Sequence, residues 1–84
     1  MCYQLYYNKD EVKIKVSILS NVFKHSFKIQ ETIERLKENE IWNYNSFYIF
    51  ANNRKLLKLK GEELKQQWLL EAEDKLNAIK NIKI

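Results

Sequence analysis

The sequence predicts an α+β domain, in which an antiparallel sheet is covered by two helices in the order βββαββα. The prediction rests on two observations. Apolar and polar residues alternate over the first third of the chain, as they do in half-buried strands. Apolar residues then recur at helical spacing in the second third and again near the end. With 84 residues, the chain is expected to form one domain over residues 1–84.

The segment Val12–Ile29 predicts a hairpin. In its first half, Val12–Ile18, apolar residues alternate with lysine and serine. A two-residue turn at Ser20-Asn21 pairs this half with Phe23–Ile29 and gives both strands one apolar and one basic face. A slip of one residue would mix the two faces, so the pattern favours this register.

The segment before it predicts a third strand of the same meander. A turn at Lys9-Asp10 pairs Cys2–Tyr7 with Val12–Ile18, with Tyr3 opposite Val16. This register again separates an apolar face from a polar one.

The middle of the chain predicts a helix followed by a second hairpin. Ile29, Ile33 and Leu36 form one apolar stripe, so we expect a helix over Gln30–Glu40 that lies across the meander. Phe47–Ala51 is apolar and aromatic, and a turn then pairs it with Arg54–Lys60. A three-residue turn at 52–54 keeps one face apolar, whereas a two-residue turn does not, so the longer turn is preferred.

The segment from Glu62 to about Lys80 predicts a long helix, with Leu64 and Trp68 facing the domain. Such a helix either packs entirely on its own domain or also pairs with a second subunit. Because Trp68, Leu69 and Leu70 are consecutive, they span more than half of the helix circumference, and we favour a homodimer. Its predicted seam consists of Leu69, Ala72, Leu76 and Ile79.

Composition narrows the function classes. The formal net charge is +4, and lysine supplies most of the positive residues. Lysine, asparagine and isoleucine are all frequent, a mix that A+T-rich codons supply, so the charge is discounted as evidence for binding. A single cysteine excludes an internal disulfide and favours a reducing compartment, so a cytoplasmic location without membrane insertion is expected.

No pattern of catalytic or metal-binding residues is present. His25 is the single histidine, and the predicted hairpin places it on the apolar face, away from any nucleophile or carboxylate. One histidine and Cys2 do not make a standard zinc site, and the single glycine cannot form a phosphate-binding loop. We therefore expect no enzymatic activity, no metal and no cofactor; the rival prediction is a small basic nuclease that uses His25.

A basic sheet face is the candidate binding site. In the predicted hairpins, lysines converge on one face beside tyrosine, an arrangement that can contact phosphates and stack a base. Lysines that protect sheet edges or simply keep the surface solvated would give the same pattern. The candidate residues are Tyr6, Lys13, Lys15, Lys24 and Lys28, with a second cluster at Arg54, Lys55 and Lys58.

Two family resemblances add expectations. Thr32–Lys37 and Tyr48–Leu56, with the hairpin before them, resemble the helix and third strand of ubiquitin-like β-grasp domains. That resemblance implies a β-grasp-like sheet as the alternative fold. The chain ends Asn81-Ile82-Lys83-Ile84, without the Gly-Gly that conjugation needs, so modifier chemistry is not implied. The small lysine-rich strand–strand–helix–strand–strand plan is similar to that of accessory proteins of bacteriophages and mobile elements.

Two functions remain open on these grounds. The first is a non-enzymatic accessory protein that contacts nucleic acid or phosphate through the basic face. The second is a protein-interaction module or an inhibitor of a larger host protein, such as a nucleic-acid-handling or defence complex.

Overall fold

The protein consists of a four-stranded antiparallel sheet with helices on both faces, which confirms the predicted α+β class. The computed structural model describes all 84 residues. Every strand pair is antiparallel, and the spatial order is β2-β1-β4-β3. In chain order the elements are β1 (Tyr3–Asn8), β2 (Lys13–Ile18), α1 (Asn21–Lys24), α2 (Phe27–Glu34), β3 (Trp42–Asn43), β4 (Tyr48–Ala51), α3 (Arg54–Glu71) and α4 (Leu76–Lys80).

The first hairpin is confirmed, but its register differs from the predicted one by two residues. Tyr3 pairs with Ile18 rather than with Val16. The turn takes four residues, Lys9–Val12, and the Val12 amide donates to the Lys9 carbonyl at 3.1 Å. Because the shift is an even number of residues, every side chain keeps its predicted face.

The second predicted hairpin is wrong, because Phe23–Ile29 folds into α1 and the start of α2 instead of a strand. The chain leaves the sheet after Ile18, and the buried Gln4 side chain accepts a hydrogen bond from the Ser20 amide at 2.8 Å. The Ser26 hydroxyl then accepts from the Ile29 amide at 3.3 Å and caps α2.

Three further predictions change with that hairpin. The meander and the order βββαββα are not formed, and the β-grasp-like alternative, which required the same hairpin, loses that support. His25 is exposed at the end of α1 rather than on the apolar face. The helix predicted over Gln30–Glu40 runs over Phe27–Glu34.

The strand predicted at Phe47–Ala51 is present as β4, but the hairpin with Arg54–Lys60 is wrong. Instead, β4 pairs with β1 and β3. The asparagine pair that suggested a turn starts a helix, because the Asn53 side chain accepts a hydrogen bond from the Lys55 amide at 3.0 Å.

The single long helix predicted over Glu62–Lys80 is also wrong. Helix α3 begins eight residues earlier and ends at Glu71, and the backbone is extended at Ala72. The short α4 then packs against α3 and buries Ile79 to 3% exposure. A straight helix would have carried Ile79 past the sheet into solvent, so burial of this side chain favours the break.

The two faces of the sheet support two separate apolar clusters. On the first face, α3 and α4 cover Leu5, Ile14, Val16, Ile49 and Ala51, and the inward positions of Leu64 and Trp68 are confirmed. On the second face, side chains of α1 and α2 form a cluster with Phe50 and Tyr48 of β4 and Trp42 of β3, and Gln4 of β1 is buried beside it.

Candidate nucleic-acid interface

On the second face of the sheet, a row of side chains crosses the three strands β2, β1 and β4. Lys15 of β2 pairs with Tyr6 of β1, and Tyr6 pairs with Tyr48 of β4. The Tyr6 and Tyr48 rings lie 5.3 Å apart at 45°. Lys15 is exposed and makes no ion pair. We call Lys13, Lys15, Tyr6 and Tyr48 the open sheet face. Tyr48 lies at its covered end, where the Phe23 ring of α1 is 4.8 Å away.

A carboxylate of the protein lies at one end of this face. Glu11 Oε1 accepts from the Tyr6 hydroxyl and from Asn8 Nδ2, each at 2.8 Å. Glu11 Oε2 lies 3.4 Å from Lys13 Nζ. A carboxylate of the protein therefore already lies beside Lys13 and Tyr6.

These contacts shift two pKa values in opposite directions. The hydrogen bond from Tyr6, followed by that from Lys13, lowers the pKa of Glu11 below its usual 4.5. The same bond to the carboxylate raises the pKa of the Tyr6 hydroxyl. Both shifts favour the ionised carboxylate and the neutral phenol, so the Glu11 contact persists at neutral pH.

A groove of about 390 Å³ adjoins this face along the free edge of β2. Tyr6, Lys13 and Lys15 line it together with the C-terminal residues Ile82 and Lys83. Lys83 lies there because Lys65 Nζ, on α3, donates to the Ile82 carbonyl at 2.7 Å. It adds a third cation to this edge.

Sequence reasoning missed three residues of this site: Glu11, Tyr48 and Lys83. Tyr48 alternates with Ile49 in β4, so its position on the second face was open to the same period-two argument used for β1. Glu11 lies close to Tyr6 and Lys13 in sequence, and only the turn geometry directs it between them. No local signal indicates Lys83, because its position depends on a contact between distant segments.

The other predicted basic residues do not join the open sheet face. Lys24 lies at the end of α1, where it lines a separate groove of about 210 Å³ with Met1, Cys2 and Ile18. Lys28 is exposed on α2 rather than on the predicted basic face of the sheet beside Lys13 and Lys15.

The second cluster, Arg54, Lys55 and Lys58, is exposed on α3. Because α3 covers the first face of the sheet, these residues lie on the opposite side of the protein from Lys13 and Lys15. One short nucleic-acid strand on the open sheet face would not contact both sets.

The four residues of the predicted dimer seam do not form one surface stripe. Leu69 and Ala72 pack partly against the first-face cluster, and Ile79 is buried in it. Leu76 begins α4 and is 36% exposed. Ile79 is thus unavailable to a second copy, and the homodimer stays a prediction.

The remaining candidates for chemistry are isolated. Burial, and after it the charge of Glu34, raises the pKa of the Cys2 thiol, which favours the unreactive protonated form. No three His, Cys, Asp or Glu side chains are grouped so that they could hold a metal ion. None of the helices has the length and apolarity needed to cross a bilayer.

Comparison of the chain with protein-family models, with curated proteins and with solved structures finds no match.

Proposed function

We propose that this protein is a non-enzymatic binding protein that holds single-stranded nucleic acid on the open sheet face. The observation that supports this most is the row Lys15–Tyr6–Tyr48, in which Lys15 lies beside the Tyr6 ring and Tyr48 packs between Tyr6 and Phe23 of α1. In single-strand binding, bases stack on aromatic rings while lysines contact the phosphates.

In this arrangement, Lys15 contacts a phosphate and Tyr6 receives a base, while Tyr48, whose ring lies 4.8 Å from that of Phe23, supports the Tyr6 ring from β4. Lys83 extends the cationic edge beside Lys15. Glu11 competes with the ligand for Lys13, because its carboxylate is 3.4 Å from Lys13 Nζ. A phosphate at Lys13 must displace that carboxylate.

The test is fluorescence anisotropy of a labelled single-stranded oligonucleotide, titrated with protein at several salt concentrations. Tyr6→Leu removes a stacking ring and should weaken binding by about 1–3 kcal/mol. Lys15→Ala should weaken binding and reduce the slope of log affinity against log salt by about 0.7. Lys80→Ala, which removes an exposed cation on α4, is the matched control and should leave binding unchanged.

Glu11→Gln should change the binding affinity in the opposite direction to Tyr6→Leu and Lys15→Ala. It preserves the shape of the side chain but removes the charge that neutralises Lys13, so the variant should bind more tightly than wild type and steepen the salt dependence by about 0.7. Equal binding by wild type, Tyr6→Leu and Lys15→Ala would refute the proposed site. Tighter binding of the corresponding duplex would refute the preference for single strands.

The absence of enzymatic activity stays a prediction, and its rival is a nuclease that depends on His25. Incubation of wild type and His25→Ala with labelled nucleic acid separates them, since nuclease activity that disappears in the variant would contradict the prediction.

The alternative of binding a larger host protein also stays a prediction. A pulldown with and without nuclease treatment distinguishes direct protein contact from contact through nucleic acid, because nuclease removes only the second. Raising the salt concentration gives a separate test, since phosphate contacts weaken steeply with salt and an apolar interface does not.

A further inference from the structure

The outer edge of β2 carries backbone groups that no other segment of the chain pairs. Strand β2 is the first in the sheet order, so only its inner edge has a neighbour, β1. Tyr7 of β1 pairs with Ile14 of β2, but the Tyr7 amide donates to the Phe47 carbonyl, on the side of β4, at 2.9 Å. Because backbone groups alternate between the two edges of an antiparallel strand, Ile14 and Val16 direct their N–H and C=O groups away from β1. No turn, loop or terminal segment forms a backbone hydrogen bond with either residue.

The spacing of these groups matches an extended polypeptide. Ile14 and Val16 are two residues apart, so the outward N–H and C=O groups repeat at about 6.8 Å, as they do along any strand. A second extended chain presents donors and acceptors at the same repeat and can pair with such an edge at about 4.8 Å. Phosphate groups accept hydrogen bonds but donate none, so they would leave the outward carbonyls unpaired. A groove of about 390 Å³ opens at this edge beside Ile14.

The charge of that groove limits which chain fits. Three lysines line it, Lys13, Lys15 and Lys83, and no carboxylate does. Lys15 and Lys83 make no ion pair, and Lys13 has only Glu11, at 3.4 Å. Pairing with β2 of a second copy would place lysines opposite lysines on the same face, and like charges there destabilise the pair of strands. The groove therefore favours an acidic partner over a second copy of this chain.

We infer that the free edge of β2 binds an extended acidic segment of another protein, which adds a fifth strand to the sheet. Residues of that segment opposite Lys13 and Lys15 share the second face with them, so carboxylates are favoured there. The residues between them lie on the first face, beside Ile14 and Ile82, where apolar side chains fit. The partner is thus a segment in which acidic and apolar residues alternate. It differs from the proposed nucleic acid, which lies on the open sheet face and does not pair with the edge.

A capped six-residue peptide that alternates glutamate and valine is the probe for the first test. The peptide is titrated into the protein up to millimolar concentration, and amide hydrogen exchange is followed by NMR. Exchange of the Ile14 and Val16 amides should slow on binding, because these amides gain partners. The Lys15 amide, which faces β1, is the internal control and should keep its rate. Absence of binding, or binding without protection of Ile14 and Val16, would overturn the inference.

Two methylated peptides provide the second test. One carries a methyl group on every valine nitrogen and the other on every glutamate nitrogen, so the two have the same charge. Only one set of amides faces β2, and its methylation should lower the affinity about tenfold or more, while the other peptide should bind like the parent. Loss with the valine series indicates an antiparallel strand, and loss with the glutamate series a parallel one. Two methylated peptides that bind alike, tightly or weakly, would show that no strand pairing occurs.

The third test concerns the charge. Lys15→Gln should weaken binding of the acidic peptide about two- to fivefold, as expected for an exposed ion pair. Lys80→Gln, which removes an exposed cation on α4, is the matched control and should bind like wild type. Circular dichroism checks that both variants retain the fold. Equal affinities of Lys15→Gln and wild type, or equal binding of a peptide that alternates lysine and valine, would contradict the preference for an acidic partner.

Discussion

The hydroxyl of Tyr6 donates a hydrogen bond to Glu11 Oε1 at 2.8 Å, so the first turn of the chain returns a carboxylate onto the face of the sheet. The carboxylate also lies beside Lys13. This contact joins the candidate binding face to the acid stability of the protein, because the same side chain affects both.

Acid sensitivity should therefore change in Glu11→Gln. The pKa of Glu11 is lower in the folded state than its ordinary value of 4.5, so the ionised carboxylate stabilises the fold above that value. That contribution is lost as the pH falls through the lowered pKa. Urea unfolding between neutral pH and about pH 3 should show a smaller loss of stability in Glu11→Gln than in wild type.

Glu62→Gln is the control for this prediction. It removes an exposed carboxylate without an ion pair and should follow wild type. Identical acid dependence in Glu11→Gln and wild type would contradict the linkage.

Val12 should be a strained position. Its φ of 55° lies in the left-handed region, which β-branched residues rarely adopt and asparagine tolerates. Val12→Ala and Val12→Asn both remove methyl groups that pack on the first-face cluster, so their difference isolates the backbone preference. Thermal or urea unfolding should find Val12→Asn more stable than Val12→Ala by about 1 kcal/mol.

Val22 is the control for that comparison, since it is exposed in α1 and has helical backbone. There alanine should be the more stable substitution, because it has the higher helix propensity. A lower stability of Val12→Asn than of Val12→Ala would show that the left-handed turn does not limit stability.

Gly61 should respond to substitution according to the residue at position 84. A Cβ atom on Gly61 would lie 2.8 Å from Ile84 Cγ2 and 3.3 Å from Ile14 Cγ2. In the Ile84→Ala background the closer contact is relieved, and Gly61→Ala should then stabilise the protein by about 1 kcal/mol through helix propensity. In wild type the same substitution must displace Ile84 and should give no such gain. The coupling is measured as a double-mutant cycle in urea, and equal effects in both backgrounds would contradict the packing.

Asn52 should stabilise the end of α2 from a distance. Its side-chain amide donates to the carbonyls of Ile33, at 3.4 Å, and Leu36. Asn52→Ala removes these bonds and should cost about 1 kcal/mol. Asn52→Asp should cost more, because a carboxylate would face the same carbonyl oxygens. Asn39→Asp is the control at an exposed asparagine without a side-chain hydrogen bond, and should change stability by less than about 0.5 kcal/mol. Equal stabilities of Asn52→Asp and wild type would contradict this role.

The candidate site was predictable in part. Tyr6, Lys13 and Lys15 lie on one face of adjacent strands, as the alternation of the sequence indicates. Lys24 and Lys28 were placed on that face through a strand that does not form. A short segment such as Phe23–Ile29 suits either a strand or a helix by its apolar spacing, and the choice between them depends on where the chain packs.

The sequence by itself determined the α+β class, the hairpin of β1 and β2 and the two faces of these strands. These features follow from a local pattern, since a period of two assigns each side chain to a face whatever the rest of the chain does. A two-residue change of register leaves that assignment intact, as the pairing of Tyr3 with Ile18 demonstrates.

The tertiary structure alone decided which ambiguous segments became helices, where the last helix breaks and which residues meet at the candidate site. Arg54–Lys60 is helical because Leu57 packs into the first-face cluster. Helix α3 ends at Glu71 so that Ile79 can return to the same cluster. Burial of these side chains is a gain that arises between segments distant in sequence, and it outweighs the smaller local preferences from which a helix or strand boundary is predicted.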